Sequence, residues 1–211
     1  MINHIQMNIK IILLGVGITF ASCGNEQTND SISTINRENA LVNIVSTPNE
    51  DLSNSVLHTL QTANYTEFIN YFHPEKGVRF SPYGFINIET DLVLSKDQFM
   101  NGIATNKKMN WGRYDGTGHP IDLTVKEFID KFIYDVDFLN AEKMSVNKII
   151  ASGNSLNNIE EIYPNAFYTE SYFSGFNPDY DGMDWRSLRL VFEELDGKFY
   201  LVGVISDQWT V

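Results

Sequence analysis

The chain has 211 residues, of which 43% are hydrophobic, and a formal net charge of −12. With 15 basic against 27 acidic residues, the composition argues against a nucleic-acid partner, whose phosphates are bound by Lys and Arg, and against electrostatic adhesion to anionic lipid. The length suits one domain of ordinary size, and a single cysteine excludes a disulfide within the chain.

The N-terminal segment has the three parts of an export signal. Lys10 supplies a weakly positive start, Ile11–Phe20 is apolar, and the small residues Ala21 and Ser22 precede a cleavage point. The apolar run is about half as long as a membrane-spanning helix requires, so we do not expect a permanent transmembrane segment.

Phe20-Ala21-Ser22-Cys23 resembles a bacterial lipobox. The resemblance implies that Cys23 is lipidated and becomes the mature N-terminus, although Phe20 stands where Leu is commonest; the alternative is an ordinary secretory signal with a chance cysteine. It implies a lipoprotein of the bacterial cell envelope, anchored in the bilayer through acylated Cys23. Gly24 does not suggest inner-membrane retention, so the outer membrane is the expected site.

Three regions are predicted along the chain. Residues 1–22 form the signal peptide, 23–50 form the lipidated cysteine and a flexible polar tether, and 51–211 form one globular domain. The apolar cluster at 41–45 leaves the second boundary uncertain by several residues.

Helices dominate the first half of the predicted domain. The first begins at Asp51 or Ser53, and a second ends at His73-Pro74 because proline disfavours helix in the preceding residue. Short strands follow at 78–80 and 92–94. Capping boxes open a helix at Ser95–Gln98 and another at Thr124–Glu127, which extends to about Tyr134.

Strands dominate the second half. Residues 144–151 and 166–173 have β-type composition, and Asp196-Gly197 separates two β-rich runs as in a tight hairpin. Helices followed by an antiparallel meander indicate an α+β fold. With the segment Asn64–Pro74, this order resembles the ketosteroid-isomerase-like, cystatin-like cone, which implies a mostly antiparallel curved sheet packed on N-terminal and central helices, with a pocket at its mouth.

A second resemblance covers most of residues 55–211. It is to an uncharacterised family of bacterial exported proteins, and it implies a shared fold and no particular reaction. The segments that carry it are His73–Tyr83, Trp111–Gly118, Gly182–Arg189 and Asp207–Thr210.

The first candidate site is the glycine-rich segment from Trp111 to His119. Asp115 and His119 could act as an acid/base pair if they lie in an apolar cavity, as in enzymes of the ketosteroid-isomerase-like fold. The alternative is a glycine-shaped turn in which Asp115 caps backbone amides and His119 lies at the surface.

A second candidate site would bind a planar or sugar-like ligand. Arg can pair with a carboxylate or stack on Trp, and the alternative is an Arg–Asp pair that pins the hairpin. The predicted ligand-binding residues are Arg79, Trp111, Tyr114, Asp115, Trp185, Arg186 and Trp209.

A third pattern matches half of a calcium loop. Asn177, Asp179, Asp181 and Gly182 occupy the first positions, but Leu188 stands where a bidentate Glu is required, so a solvated acidic turn is the preferred interpretation. Neither a metal site nor a cofactor is predicted.

Three functions remain open at this stage. The first is a lipoprotein that binds a small ligand or a partner without catalysis. The second is an enzyme with Asp115 or His119 as general base. The third is a structural or assembly lipoprotein whose aromatic surface docks on another envelope protein.

Overall fold

A computed structural model describes residues 48–150 and 156–210, which all belong to one compact unit, Ile44–Val211. The predictions for the signal peptide, Cys23 and the tether up to residue 47 lie outside the described residues. The first helix begins at Pro48, three residues before the predicted domain start. Proline suits this position because the first turn of a helix leaves its N–H groups without intrahelical partners.

The first half of the unit holds most of its helices. They are α1 (Pro48–Gln61), α2 (Tyr65–Phe68) with a 3₁₀ turn at Ile69–Tyr71, α3 (Lys96–Thr105), and α4 (Val125–Phe128), which continues as a π-helical segment over Ile129–Ile133. Ser95 and Thr124 cap α3 and α4 through the two predicted capping boxes, which are both confirmed. Later helical segments are short: the 3₁₀ turns Phe138–Asn140 and Pro178–Tyr180, and α5 (Ile159–Ile162).

Within residues 48–150 and 156–210, eight strands form two sheets. They are β1 (Val78–Ser81), β2 (Leu92–Leu94), β3 (Met109–Arg113), β4 (Pro120–Leu123), β5 (Lys143–Val146), β6 (Phe167–Phe173), β7 (Arg186–Leu195) and β8 (Lys198–Gln208). The six-stranded sheet has the order β2-β1-β8-β7-β6-β5, and β3 pairs with β4 alone. All pairs are antiparallel except β1 with β8.

The large sheet has two faces with different cover. On the helix face, the helices bury a core that includes Leu188, Leu190 and Val204 of the sheet. The opposite face, here called the loop face, is covered by residues from 82–91, 149–150 and 156–166, which contribute Ile86 and Ile159. Alternate residues of each strand point to opposite faces, so the register assigns every strand residue to one of these two layers.

The predicted fold class is confirmed: the chain has an α+β fold with a mostly antiparallel sheet packed on N-terminal and central helices. The hairpin of β7 and β8 is confirmed as well, with Leu195 opposite Lys198 and positive φ angles of 53° and 76° at Asp196 and Gly197. The predicted strand at 144–151 is shorter than expected, because β5 ends at Val146.

Candidate functional site

The candidate site is an open cleft of about 690 Å³ between three parts of the chain. They are the loop from Pro82 to Asp91, the end of β3 with the turn after it, and Leu156 with Thr210. Its lining residues are Pro82, Tyr83, Phe85, Asn87, Thr90, Asp91, Gly112, Arg113, Tyr114, Asp115, Leu156 and Thr210. This set is here called the cleft.

The loop of the cleft is shaped by backbone contacts to carboxylates. Asn87 donates its backbone N–H to Oδ2 of Asp91 over 2.9 Å, which closes the loop on itself. Gly84 lies against the carboxylate of Asp207, so closely that a Cβ atom at this position would overlap it. The absence of a side chain at Gly84 therefore allows the loop to lie directly on the sheet.

The turn between β3 and β4 forms the opposite wall. Tyr114 donates its N–H to the carbonyl of His119 over 2.8 Å, and Gly118 donates to the carbonyl of Tyr114 over 2.9 Å. Gly116 and Gly118 have φ angles of 74° and 68°, which are costly for residues with a Cβ. The two glycines therefore make a tight turn that presents Tyr114 and Asp115 to the cleft.

A hydrogen bond joins the two walls. The hydroxyl of Tyr83 accepts the backbone N–H of Asp115 over 3.1 Å. The rings of Tyr83 and Tyr114 both pack near Phe132, with centroid distances of 6.0 and 6.1 Å. Burial raises the pKa of Tyr83, so its hydroxyl stays protonated at neutral pH and can donate a hydrogen bond of its own.

The outer rim of the cleft is apolar and exposed. Phe85 is 47% exposed and Leu156 is 78% exposed. The side-chain amide of Asn158 holds the segment that carries Leu156 to the loop, because its Oδ1 accepts from the N–H of Ile86 at 2.9 Å and its Nδ2 donates to the carbonyl of Ile86 at 3.0 Å. The rim therefore exposes apolar side chains to solvent, and hydrogen bonds hold together the two segments that carry them.

The inner part of the cleft contains a buried carboxyl group. Asp91 is 9% exposed, and its Oδ2 accepts from Oγ of Ser81 at 2.5 Å in addition to the Asn87 N–H. Burial is the largest cause that raises the pKa of Asp91, and hydrogen bonds from Ser81 and Asn87 oppose it. Burial of a carboxylate without full compensation favours its protonated form.

A second group of buried charges lies on the loop face but outside the cleft. Arg189 donates from Nη2 to Oε1 of Glu170 at 3.0 Å and to Oδ2 of Asp207 at 2.8 Å. Glu170 also accepts from Oγ of Ser187 and from the N–H of Ile150. We call Glu170, Arg189 and Asp207 the sealed charge cluster, because all three side chains are at most 5% exposed.

The predicted ligand-binding residues do not come together. Of the seven, Tyr114 and Asp115 line the cleft. Trp111 is fully buried, stacks on Phe128 at 4.0 Å, and donates its indole N–H to the carbonyl of Leu123. Trp111 was predicted to line a pocket, but it lies in the hydrophobic core.

The other four predicted residues do not line the cleft. Arg79 donates to the carbonyls of Ile88 and Asp91 at 3.4 and 3.3 Å. Arg186 forms an ion pair with Asp135 at 2.7 Å, Trp185 is buried near Tyr172, and Trp209 is 43% exposed just after β8.

Asp115 and His119 belong to the same turn, and both are exposed. Oδ1 of Asp115 accepts the N–H of Gly116 at 3.0 Å, as the turn alternative predicted. Only Asp115 of this pair lines the cleft. Neither side chain is enclosed in the apolar cavity that the enzyme alternative requires.

The calcium pattern forms a compact acidic turn. Oδ1 of Asn177 accepts the N–H of Asp179 at 3.0 Å, and Oδ2 of Asp184 accepts from Phe176 and Asn177. Within residues 48–150 and 156–210, no group of three or more His, Cys, Asp or Glu side chains could hold a metal ion. In that same part of the chain, no helix has the length and apolar character needed to span a bilayer.

Sequence reasoning gave Tyr83 only as a weaker candidate beside Arg79, and it missed Phe85 and Asp91. Tyr83 and Phe85 lie in Ser81-Pro82-Tyr83-Gly84-Phe85, where aromatic residues alternate with turn-forming ones, and this pattern is a usable signal for a shaped aromatic loop. Nothing in the sequence around Asp91 distinguishes it from a solvent-exposed acid.

No family model matches the sequence, and no curated protein matches it either. Among solved structures, the chain is similar to a calcium/calmodulin dependent protein kinase II association domain from Xanthomonas campestris, with 12% identity, 75% of this chain and 84% of that chain covered, and a TM-score of 0.32. It is also similar to RV0760c from Mycobacterium tuberculosis in complex with estradiol-17beta-hemisuccinate, with 13% identity, 76% and 93% covered, and a TM-score of 0.27. These likenesses concern the fold alone.

Proposed function

We propose that this chain is a membrane-anchored lipoprotein of the bacterial envelope whose globular domain binds a small ligand in the cleft. The observation that carries the proposal is the cleft itself, because its volume of about 690 Å³ falls within the range of small-molecule sites. Such sites combine mostly apolar walls with a few placed polar groups, and this one combines the rings of Tyr83, Phe85 and Tyr114 with the carboxyl group of Asp91.

The exposed rim supports the same function. Apolar surface in water is unfavourable by about 25 cal/mol per Å², and Phe85 and Leu156 leave such surface exposed at the entrance. A ligand with an apolar part would cover both side chains as it enters. Large exposed apolar groups at the edge of a concavity are typical of binding sites.

The binding function can be tested with a fragment library screened against the full chain by ligand-observed NMR. Phe85→Ala removes an exposed ring and should leave the fold unchanged, because the side chain is 47% exposed. We expect the fragments that bind the parent chain to lose at least about tenfold in affinity, which corresponds to about 1.4 kcal/mol.

The matched control is Phe176→Ala, which removes a phenylalanine that is 52% exposed in another part of the surface. This variant should retain the affinity of the parent chain. If no bound fragment responds to Phe85→Ala, or if both variants weaken binding equally, the cleft is not the binding site.

The anchor part of the proposal is supported by the lipobox-like sequence at Phe20–Cys23. Mass spectrometry of the native N-terminal peptide should find an acylated Cys23, and Cys23→Ser should release the protein from the membrane fraction. Native protein that is unmodified and retains residues 1–22 would contradict the anchor while leaving the binding function untouched.

A second candidate function is docking on another envelope protein, the assembly alternative. It is favoured by the segment around the Pro178–Tyr180 turn, where three large apolar side chains are about half exposed: Phe176, Tyr180 and Met183 at 52%, 52% and 49%. A photocrosslinking amino acid at position 180 in living cells should give one discrete adduct, whereas the same probe at the exposed position 130, outside this segment, should not.

A further inference from the structure

Asp91 is a buried carboxyl group without a salt bridge in the described part of the chain. It is 9% exposed and lines the cleft, yet it forms no salt bridge with any residue in 48–150 or 156–210. Both of its hydrogen bonds, from Ser81 and from the Asn87 N–H, are made to Oδ2. Within those ranges, Oδ1 accepts no hydrogen bond, so one oxygen of the group remains available to a ligand.

Against the larger effect of burial, the positive charge of Arg79 lowers the pKa of Asp91, but Arg79 forms no salt bridge with this carboxylate. Its Nη1 donates to the main-chain carbonyls of Ile88 and Asp91 at 3.4 and 3.3 Å and makes no ion pair with the Asp91 side chain. Arg79 therefore shapes the loop and offsets the charge of Asp91 only at longer range, so a direct ion pair with this carboxylate is left for another partner. Buried charges in proteins are normally paired, because an unpaired one loses hydration without compensation.

An asparagine at position 91 would satisfy the same structural needs. Its amide oxygen could accept from Ser81 and from Asn87 as the carboxylate does, without the cost of burying a charge. Burial raises the pKa of Asp91, which is consistent with this cost. The loop geometry alone therefore gives no reason for an acid here, whereas a positively charged ligand would.

The aromatic walls suit such a ligand. The side-chain ammonium of Lys131 lies 4.6 Å from the centroid of Tyr114 and donates to its hydroxyl at 2.9 Å, so the protein itself places an ammonium against this ring. Aromatic faces attract ammonium groups through their quadrupole. The cleft adds a second acid, Asp115, against one base, Arg113, whose Nη1 donates to the carbonyl of Gly118.

The geometry points to an organic cation as the ligand of the cleft: an ammonium group on an apolar body, with the Asp91 carboxylate as its counter-ion. The ammonium binds at the buried inner end, and the apolar body lies against Phe85 and Leu156 at the rim. A metal ion is a poorer fit, because the described residues offer no group of three ligating side chains. This inference rests on the proposed function, since it names the ligand class for the same cleft.

The test uses three probes that share a phenylethyl-type body and differ in charge. Phenethylamine is cationic at neutral pH, 2-phenylethanol is neutral, and phenylacetate is anionic. Each is titrated into the full chain and followed by NMR shifts of the cleft residues. We expect phenethylamine to bind at least about tenfold more tightly than 2-phenylethanol, and phenylacetate to bind most weakly.

Asp91→Asn provides the decisive variant, because it removes the charge and retains the hydrogen-bond acceptor. It should reduce phenethylamine affinity by about tenfold to a hundredfold and leave 2-phenylethanol affinity unchanged. Asp130→Asn is the matched control, since it removes the same charge from an exposed position outside the cleft and should have no effect beyond twofold.

The outcomes separate this inference from the proposed function. Equal or tighter binding of the neutral or anionic probe, with sensitivity to Phe85→Ala, would overturn the cationic class and retain the cleft as a binding site. Binding of phenethylamine that Asp91→Asn does not weaken would overturn the role of Asp91. Failure of all three probes overturns the inference, whereas the fragment screen decides the proposed function independently.

Discussion

Two sets of buried carboxylates lie on the loop face of the same sheet, and they differ in one respect. Glu170 and Asp207 share the guanidinium of Arg189, at 3.0 and 2.8 Å. Asp91 is held by Ser81 and by the Asn87 N–H and lacks a salt bridge within the described ranges. Glu170 and Asp207 lie within β6 and β8, and Asp91 directly precedes β2. The first two acids are paired with a cation, whereas Asp91 faces the cleft.

The difference separates a structural role from a binding role. The sealed charge cluster fastens the covering segments to the sheet, since Glu170 accepts from Ile150 and Asp207 supports Gly84. Each acid there has a cation, so nothing further is required of it. Oδ1 of Asp91 accepts no hydrogen bond among the described residues, and Asp91 lines the cleft, where solvent or a ligand can reach it.

The largest expected effect comes from removing the shared cation. Arg189→Met keeps the volume and leaves Glu170 and Asp207 buried without the guanidinium that they share, so we expect a loss of about 3–5 kcal/mol in the free energy of unfolding. Urea denaturation measures it. Arg113→Met, at an exposed position, should change stability by less than about 0.5 kcal/mol, and equal effects of the two variants would contradict the comparison.

A smaller effect is expected where the loop lies on the sealed charge cluster. Gly84→Ala places a methyl group into the carboxylate of Asp207, so either the loop or Asp207 must move. We expect a loss of about 1–3 kcal/mol in urea denaturation and a change in the NMR shifts of Tyr83 and Phe85. A variant with unchanged stability and shifts would show that the loop does not depend on this contact.

The third prediction concerns Asp91 without a ligand. Asp91→Asn should leave the free energy of unfolding at neutral pH within about 1 kcal/mol of the parent value or above it, because the amide keeps both hydrogen bonds and avoids burial of a charge. Thermal and urea denaturation both apply. A large loss of stability would place Asp91 with the sealed charge cluster as a structural acid.

The smallest expected effect is a pH dependence with a defined sign. The pKa of Asp91 is raised in the folded state, so the folded chain binds this proton more tightly than the unfolded chain does. The raised pKa of Asp91 therefore stabilises the folded state fully at pH values below 3.8, the ordinary pKa of the group. This contribution to stability is lost as the pH rises through the pKa of Asp91 in the folded state. Against the larger effect of burial, the charge of Arg79 in β1 lowers the pKa of Asp91, and Tyr163 interacts electrostatically with the same group. Arg113 and Asp115 are the other charged residues that line the cleft.

The measurement is the difference in unfolding free energy between Asp91→Asn and the parent chain as a function of pH. Asp91→Asn should be more stable than the parent chain at neutral pH, and this advantage should become smaller as pH falls toward 3.8. Phenethylamine affinity should move in the opposite direction and weaken as the carboxylate is protonated. A difference that is independent of pH would mean that Asp91 does not titrate in this range.

Local signals in the sequence were sufficient for much of the fold. Ser95 and Thr124 each begin a helix with a capping box, and Asp196-Gly197 makes a tight hairpin, because these devices depend on residues only a few positions apart. The hairpin of β3 and β4 was missed, since its glycines resembled a ligand loop. Trp111 is part of that hairpin, and its partner Phe128 lies on α4.

The cleft could not be predicted from the sequence because distant segments assemble it. Tyr83 meets Asp115 across 32 positions, and Asn158 meets Ile86 across 72. Asp91 is buried because the loop folds back on Ser81, and that arrangement depends on the parallel pairing of β1 with β8. Whether an acid forms an ion pair depends on which residues surround it in the folded structure. Composition and sequence spacing therefore do not predict it.

The position of β8 has a consequence for the order of folding events. This last strand lies between β1 and β7 in the sheet, with Arg79 opposite Gly203. The two halves of the sheet therefore remain separate until β8 is available, and non-local pairing of this kind is slow. For the envelope lipoprotein that we propose, which must cross a membrane, pairing that waits for β8 keeps the sheet open until residues 198–208 have been synthesised.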